Sequence, residues 1–120
     1  MAKVIGLGGV FFKARDAKAL RAWYRDVLGM DIHQEYGFAQ MDNTDGTYGV
    51  FTVFSGDTKY TAPSQKEFMV NLRVDDLEGL LAQLKEKGAN VLDRREDGEF
   101  GKFGYVVDPE GTLLELFQPA

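Results

Sequence analysis

The chain has 120 residues, of which 44% are hydrophobic and 28% charged, values that suit one folded globular domain rather than several domains or a disordered chain. The net charge of −5 argues against a nucleic-acid partner, and the absence of cysteine excludes disulfides and zinc-thiolate sites. Because no apolar segment is long enough to span a membrane and no secretory signal is evident, we expect a cytoplasmic protein.

The first half of the chain predicts one strand, one helix and three shorter strands. Residues 4–14 are an apolar, β-rich run, and Asp16 is a candidate helix N-cap. An apolar stripe at helical spacing follows, formed by Leu20, Trp23, Tyr24, Val27 and Leu28. Gly29 can end this helix. The three strand-like pieces lie at residues 31–36, 38–42 and 48–55.

The second half predicts the same order of elements after a polar connector. A strand is expected at residues 68–74, and Asp75 with Glu78 resembles a capping box. The helical stripe that follows consists of Leu77, Leu80, Leu81 and Leu84. Three further strands are expected at residues 90–94, 105–108 and 112–117.

An internal duplication explains this repeated order. Asp16, Leu20 and Ala22 reappear 60 residues later as Asp76, Leu80 and Ala82. The sequence therefore predicts an α+β fold of two tandem βαβββ modules, which form a curved mixed sheet around a cleft with the helices on the outer face. We expect a single domain at 1–120, with module 1 at about 1–56, a connector at about 57–66 and module 2 at about 67–120. The alternative is two unrelated α+β segments that match by chance.

The helix-free face of this sheet is the candidate binding surface. Because side chains alternate between the two faces of a strand, large apolar residues share the helix-free face with a few polar ones. Such a half-apolar surface is typical of a cleft that holds a small molecule. The residues expected to line it are Phe11, Thr52, Met69, Asn71, Tyr105, Leu113, Glu115 and Phe117.

Three motifs carry a resemblance to a known family. The stretches 10–16 and 23–30, VFFKARD and WYRDVLGM, resemble the opening module of the vicinal oxygen chelate superfamily, and 108–116, DPEGTLLEL, resembles its closing motif. The resemblance covers essentially the whole chain. That superfamily includes glyoxalase I, extradiol dioxygenases, fosfomycin-resistance enzymes and bleomycin-resistance proteins, so the resemblance implies the fold but no single activity.

The resemblance also implies four positions at which the superfamily holds a divalent metal. In this sequence they are Gly9, Thr52, Met69 and Glu115. Only Glu115 carries a side chain suited to a hard cation, because glycine has no side chain and a thioether is too soft. We therefore expect no metal and no cofactor.

Two functions remain open for a cleft of this composition. The first is binding of a small, partly apolar organic molecule without metal, and the resemblance allows sequestration of the kind found in bleomycin-resistance proteins. The second is a metal-independent enzyme of the lyase or isomerase type, in which Glu115 is the catalytic candidate as general acid or base. Asn71 is the best polar partner for Glu115, whereas an ion pair with Lys13 or Arg73 would make Glu115 structural.

Two charged or glycine-rich segments of the second half are expected to be loops. The mixed-charge stretch 93–99 is typical of a solvated loop, and the three glycines of 98–104 would let that segment move as a lid. Phe103 and Tyr105 either line the cleft or pack against other aromatic residues. Neither a phosphate loop nor a calcium loop is indicated, and His33 is interpreted as a solvated edge residue.

The expected partners are a small-molecule ligand and a second copy of this chain, with neither nucleic acid nor membrane. A homodimer is expected because modules of the resembled superfamily commonly pair. Trp23 on the first helix is also a large aromatic residue that a small monomer covers only partly.

Overall fold

A computed structural model describes residues 1–33 and 36–120. Seven strands and two helices follow one another as β1 (Val4–Ala14), α1 (Ala17–Asp26), β2 (Phe38–Asp42), β3 (Tyr48–Ser55), β4 (Phe68–Val74), α2 (Leu77–Glu86), β5 (Asn90–Gly98), β6 (Gly101–Val107) and β7 (Leu113–Pro119). Within these described ranges, no helix is long and apolar enough to cross a membrane.

All seven strands form one open mixed sheet in the order β2-β3-β1-β4-β7-β6-β5. At its centre β1 and β4 pair antiparallel, and each also pairs in parallel with the last strand of its own module, β3 or β7. The fold is therefore α+β, and each helix belongs to the crossover connection between the two parallel strands of its own module.

The two helices show the duplication most directly. Asp16 caps α1 by accepting a hydrogen bond from Ala19 N at 3.0 Å, and Asp76 caps α2 by accepting one from Gly79 N at 3.2 Å. The N-cap of the second helix is thus Asp76, and the prediction of Asp75 was wrong by one residue. Asp75 instead accepts a hydrogen bond from Lys3 N at 2.8 Å.

In the described residues, the first module has one strand fewer than the βαβββ prediction. Residues 31–33 of the predicted strand 31–36 have no strand structure, and Gln34 and Glu35 lie outside the described residues. The described part of module 1 therefore contributes three strands and module 2 contributes four. Among the described residues, β5 at the edge of the sheet has no counterpart in module 1.

The main core lies between α2 and the sheet. Buried aliphatic side chains from the helix and from three strands form it: Val74, Leu77, Leu80, Leu81, Val106 and Leu116. In contrast, α1 has no buried residue. Its Tyr24 contacts the rings of Phe12 and Phe51 at centroid distances of 6.2 and 4.9 Å. The second half is thus the better packed of the two.

The segments predicted as a solvated loop and a lid are strands. β5 extends to Gly98 and β6 starts at Gly101, so only Glu99 and Phe100 remain as a turn between them. Pairing along residues 95–98 and 101–104 satisfies backbone groups that a loop would leave to water, which outweighs the low β-propensity of glycine and charged residues. The pairing of β5 with β6 places Arg94 and Glu96 next to the strand that carries Tyr105.

Candidate functional site

The helix-free face of the sheet holds a cavity of about 230 Å³. Both modules contribute to its walls, so the cavity lies within one chain. Most of the lining is aromatic, and the lining residues are Gly8, Phe11, Tyr36, Phe38, Gln40, Tyr48, Val50, Thr52, Tyr60, Asn71, Phe100, Phe103, Glu115 and Phe117. Apolar walls with a few converging polar groups are typical of a small-molecule site.

Glu115 is the acidic group of this cavity. It lies in the middle of β7, directly opposite Asn71 on β4 and Tyr105 on β6. Because residues opposite one another on neighbouring strands share a face, the register brings all three side chains together. Glu115 is 1% exposed and Asn71 is 4% exposed, so their polar atoms depend on partners within the protein.

Three donors surround the Glu115 carboxylate. Asn71 Nδ2 donates to Oε1 at 2.7 Å, and the hydroxyls of Tyr105 and Tyr60 both donate to Oε2, that of Tyr105 at 2.7 Å. A buried carboxylate needs such hydrogen bonds to offset its lost hydration. The site therefore holds Glu115 with neutral donors.

The alternative in which a basic residue neutralises Glu115 was wrong. Arg73 donates to the carbonyl oxygens of Leu7 and Tyr48, at 3.4 and 3.2 Å. Within residues 1–33 and 36–120, neither Lys13 nor Arg73 forms an ion pair with Glu115.

A second carboxylate completes the arrangement. Tyr105 Oη lies 2.7 Å from Glu96 Oε2 and Tyr60 Oη lies 3.2 Å from the same oxygen, so each hydroxyl can donate its one proton to either carboxylate, while the two hydroxyl oxygens lie 3.1 Å apart. The Glu96 side chain is 50% exposed. We call Glu96, Tyr60, Tyr105 and Glu115 the tyrosine–carboxylate cluster. It extends from the buried floor of the cavity to the solvent-exposed edge strand β5.

Arg94 holds the two tyrosine rings in place. Its guanidinium carbon lies 4.5 Å from the ring centroid of Tyr60 and 4.1 Å from that of Tyr105. Its Nη1 also donates to the Tyr60 carbonyl oxygen at 2.7 Å. Cation–π contact and this hydrogen bond therefore fix the connector that carries Tyr60 against the second module.

The tyrosines of the cluster are neutral donors. Burial, and then the negative charge of Glu115, raise the pKa of Tyr60 and that of Tyr105 far above the ordinary value of about 10. Both hydroxyls therefore keep their protons throughout the neutral pH range, and each can donate its proton to a carboxylate.

We expect an alkaline titration to reveal these two groups. In the unfolded chain they ionise near pH 10, whereas in the folded chain their raised pKa keeps them protonated. The resulting stabilisation is complete below about pH 10 and is lost as the pH rises further. When ionisation is followed by phenolate absorbance, two of the five tyrosines should stay un-ionised until circular dichroism reports unfolding. Tyr105→Phe should reduce that number by one, and ionisation of all five before unfolding would contradict the assignment.

Asn71 also leaves one acceptor vacant. Its Nδ2 is engaged by Glu115, so its Oδ1 points elsewhere, and this buried oxygen has no hydrogen-bond partner among the described residues. A Cβ at Gly8 would overlap Oδ1. Glycine at position 8 therefore makes room for the side chain of Asn71, which lines the cavity and keeps a buried acceptor without a protein partner.

The residues present do not fit the divalent metal that the family resemblance implies. Nothing with a side chain fits at Gly9, where a Cβ would overlap the carbonyl oxygen of Val50, and Met69 is wholly buried. Glu115 is already engaged by three donors, two of them neutral phenols. No group of three acidic, histidine or cysteine side chains suited to a metal occurs in the described part of the chain.

The structure divides the predicted cleft residues into two groups. Five of them line the cavity: Phe11, Thr52, Asn71, Glu115 and Phe117. The other three, Met69, Tyr105 and Leu113, are 0% exposed and pack together beneath it. Alternation along a strand identifies the face of a residue but not its depth, and this explains the division. Of these three, only Tyr105 sends a polar atom to the site.

Sequence reasoning missed several lining residues, namely Tyr36, Phe38, Gln40, Tyr48 and Phe100, and four further features of the site. Tyr60 lies in a connector that carries no periodic pattern, and Arg94 and Glu96 lie in a stretch read as a solvated loop. Gly8 lines the cavity because β1 has a register shift between Leu7 and Gly9, which interrupts the alternation of faces. The only signal in the sequence was for Tyr60, which is an aromatic residue in a polar connector.

Comparisons with solved structures agree with the fold. A methylmalonyl-CoA epimerase from Mycobacterium tuberculosis has 21% identity and a TM-score of 0.65, with 98% of this chain and 89% of that chain covered. A methylmalonyl-CoA epimerase from Streptomyces coelicolor, in complex with 2-nitronate-propionyl-CoA, has 19% identity and a TM-score of 0.70 over 98% and 99%. A glyoxalase/bleomycin resistance protein/dioxygenase superfamily member from Vibrio splendidus 12B01 has 17% identity and a TM-score of 0.58 over the full length of both chains.

At such identities the structural likeness shows the fold alone. A comparison with curated protein sequences finds no significant match. The model of the glyoxalase-like domain family, however, matches residues 9–117, which include both helices, all but the ends of the sheet and the whole tyrosine–carboxylate cluster. The chain therefore belongs to the glyoxalase-like domain family, within the superfamily that its motifs resemble.

Proposed function

We propose that this protein binds a small, partly apolar organic molecule in the cavity, without a divalent metal, and orients it through Glu115 and Asn71. The observation that supports this proposal is the polarity of the cavity floor. Beneath aromatic walls it offers a carboxylate and a vacant amide oxygen, both of them acceptors. A flat molecule with an apolar ring and a positively charged or strongly donating end fits this combination.

Calorimetry with two matched molecules tests the proposal. Benzamidine and benzoate share a planar apolar ring and differ in the charge and hydrogen-bonding character of their polar end. We expect benzamidine to bind at least tenfold more tightly than benzoate, because only its N–H groups complement Glu115 and the Asn71 Oδ1. Equal affinities, or tighter binding of benzoate, would show that the two acceptors do not orient the bound molecule.

Metal independence has its own measurement. We expect elemental analysis of the purified protein to find no stoichiometric divalent metal, since Gly9, Thr52 and Met69 supply no strong ligand beside Glu115. Benzamidine affinity should also be unchanged by a chelator. About one metal per chain that disappears in Glu115→Ala would contradict this part of the proposal.

A metal-independent enzyme of the lyase or isomerase type is the second candidate function. Here Glu115 would act as general acid or base, and the observation in its favour is the hydrogen-bonded chain from Glu115 to Glu96. Deuterium exchange distinguishes the two candidates. In D₂O an enzyme exchanges the acidic C–H of a carbon acid, and methylmalonyl-CoA is the one suggested by the structural neighbours. A protein that only binds leaves it unlabelled.

We also propose a homodimer, formed through exposed apolar residues of α1 and of the turn that follows it. Trp23 of α1 is 48% exposed, and Val27 and Leu28 of the turn are 62% and 57% exposed, an apolar patch that a second copy of the chain can cover. Analytical ultracentrifugation at micromolar concentration should give twice the 13.4 kDa chain mass, and Val27→Asp should shift the species towards the monomer. A monomer for the unmodified chain would refute the dimer. The cytoplasmic location and the absence of a nucleic-acid partner stay predictions.

A further inference from the structure

A chain of hydrogen-bonded oxygen atoms connects the cavity floor to the protein surface. Tyr105 Oη lies 2.7 Å from Glu115 Oε2 on one side and 2.7 Å from Glu96 Oε2 on the other. Glu115 and Tyr105 are 1% and 0% exposed, whereas half of the Glu96 side chain is in contact with solvent. A continuous path of short hydrogen bonds thus leads from a buried carboxylate to water.

The number of protons in this path is informative. Three oxygen pairs are within short hydrogen-bond distance: Tyr60 with Glu115, Tyr105 with Glu115, and Tyr105 with Glu96. The two phenols supply only two protons for them. Tyr105 can satisfy either carboxylate but not both at once, so its proton has two carboxylate acceptors at the same distance. A hydroxyl in this position can give its proton to one carboxyl group while it takes a proton from the other.

From this geometry we propose that the tyrosine–carboxylate cluster is a proton relay between the cavity and solvent. When Glu115 has taken a proton from an acidic group of a bound molecule, its O–H bond breaks as a new O–H bond forms at Tyr105 Oη. The original Tyr105 O–H bond breaks in the same step, and its proton forms an O–H bond at Glu96, which releases it to water. The reverse sequence delivers a proton to the cavity, and no electrons are transferred.

The surroundings of the cluster suit this role. Asn71 faces Glu115 from β4, Tyr60 faces it from the connector, and Arg94 stacks on both phenol rings from β5. The Arg94 cation lies 4.0 Å from Glu96 and partly balances the two carboxylates. A second contact, from Tyr60 to Glu96 at 3.2 Å, is longer, so Tyr105 provides the shorter route. The relay rests on the proposed site, since Glu115 is the group that meets the bound molecule.

Exchange of the tyrosine hydroxyl protons tests the relay in the ligand-free protein. With tyrosine labelled by ¹³C at Cζ, a mixture of equal parts H₂O and D₂O gives two resonances for a slowly exchanging hydroxyl and one for a fast one. We expect one averaged Tyr105 resonance in the unmodified chain. In Glu96→Gln, which cannot take up and release a proton, we expect two resonances and exchange at least tenfold slower. Tyr105→Phe assigns the resonance.

Glu99→Gln is the matched control, because it removes an exposed carboxylate from the adjacent turn without touching the cluster. It should leave Tyr105 exchange unchanged. Equal exchange rates in the unmodified chain and in Glu96→Gln, or equal slowing in both variants, would overturn the relay. Benzamidine calorimetry separates this result from the binding proposal. The preference of the unmodified chain for benzamidine over benzoate tests binding without any change to Glu96, so either proposal can fail while the other stands.

Discussion

Glu115→Gln is expected to weaken benzamidine binding by roughly 5- to 150-fold, which corresponds to about 1 to 3 kcal/mol for a hydrogen bond to a charged group. The variant removes the negative charge that faces the bound cation. The introduced amide keeps only one acceptor oxygen, and when that oxygen accepts from the two phenols its NH₂ group lies beside Asn71 Nδ2. In this orientation Asn71 restores a hydrogen bond by turning its own oxygen towards position 115.

This turn has a consequence for specificity. The Asn71 NH₂ group then faces the cavity in place of the vacant Oδ1, so the floor offers a donor instead of an acceptor. We therefore expect Glu115→Gln to bind benzoate more tightly than the unmodified chain does, while benzamidine binds less tightly. Calorimetry with both molecules gives the two changes. Glu110→Gln, which alters an exposed carboxylate after β6, should change neither affinity, and parallel losses for both molecules would contradict the assignment.

Leu113→Ala is expected to lower the free energy of unfolding by about 2 to 5 kcal/mol, the range for a leucine removed from a packed core. Leu113 is 0% exposed and packs with Met69 and Tyr105 beneath the cavity. The variant leaves a void that these neighbours fill only partly. Tyr105 packs against Leu113 and is hydrogen-bonded to Glu115. A less ordered Tyr105 in this variant should therefore also weaken benzamidine binding.

Chemical denaturation monitored by circular dichroism measures this effect. Leu7→Ala is the matched control, a leucine on a strand that is 58% exposed, and it should change stability by no more than about 0.5 kcal/mol. If Leu113→Ala altered benzamidine affinity but left stability as in the control, Leu113 would be a wall of the cavity, as the strand pattern predicts, and not part of the core beneath it.

The predicted start of a helix is correct where the pattern is local and repeated. Asp16 is the N-cap of α1 as predicted, and the two helices start 60 residues apart because both follow the same strand-to-helix transition. It failed at Asp75, where two adjacent aspartates offer the same chemistry. Which of them caps α2 is decided by Leu77, which is wholly buried and must be the first helical residue that reaches the core.

The sequence by itself determined the fold class, the family and the shared face of Glu115 and Asn71, because strand alternation and the closing DPEG motif act over a few residues. Only the tertiary structure decided what surrounds Glu115. Tyr60 arrives from a connector 55 positions away and Glu96 from an edge strand. Neither belongs to a periodic element facing the cleft, so no local pattern indicates them. Their position follows from strand pairing and from the Arg94 stack, which act between residues that are distant in the chain.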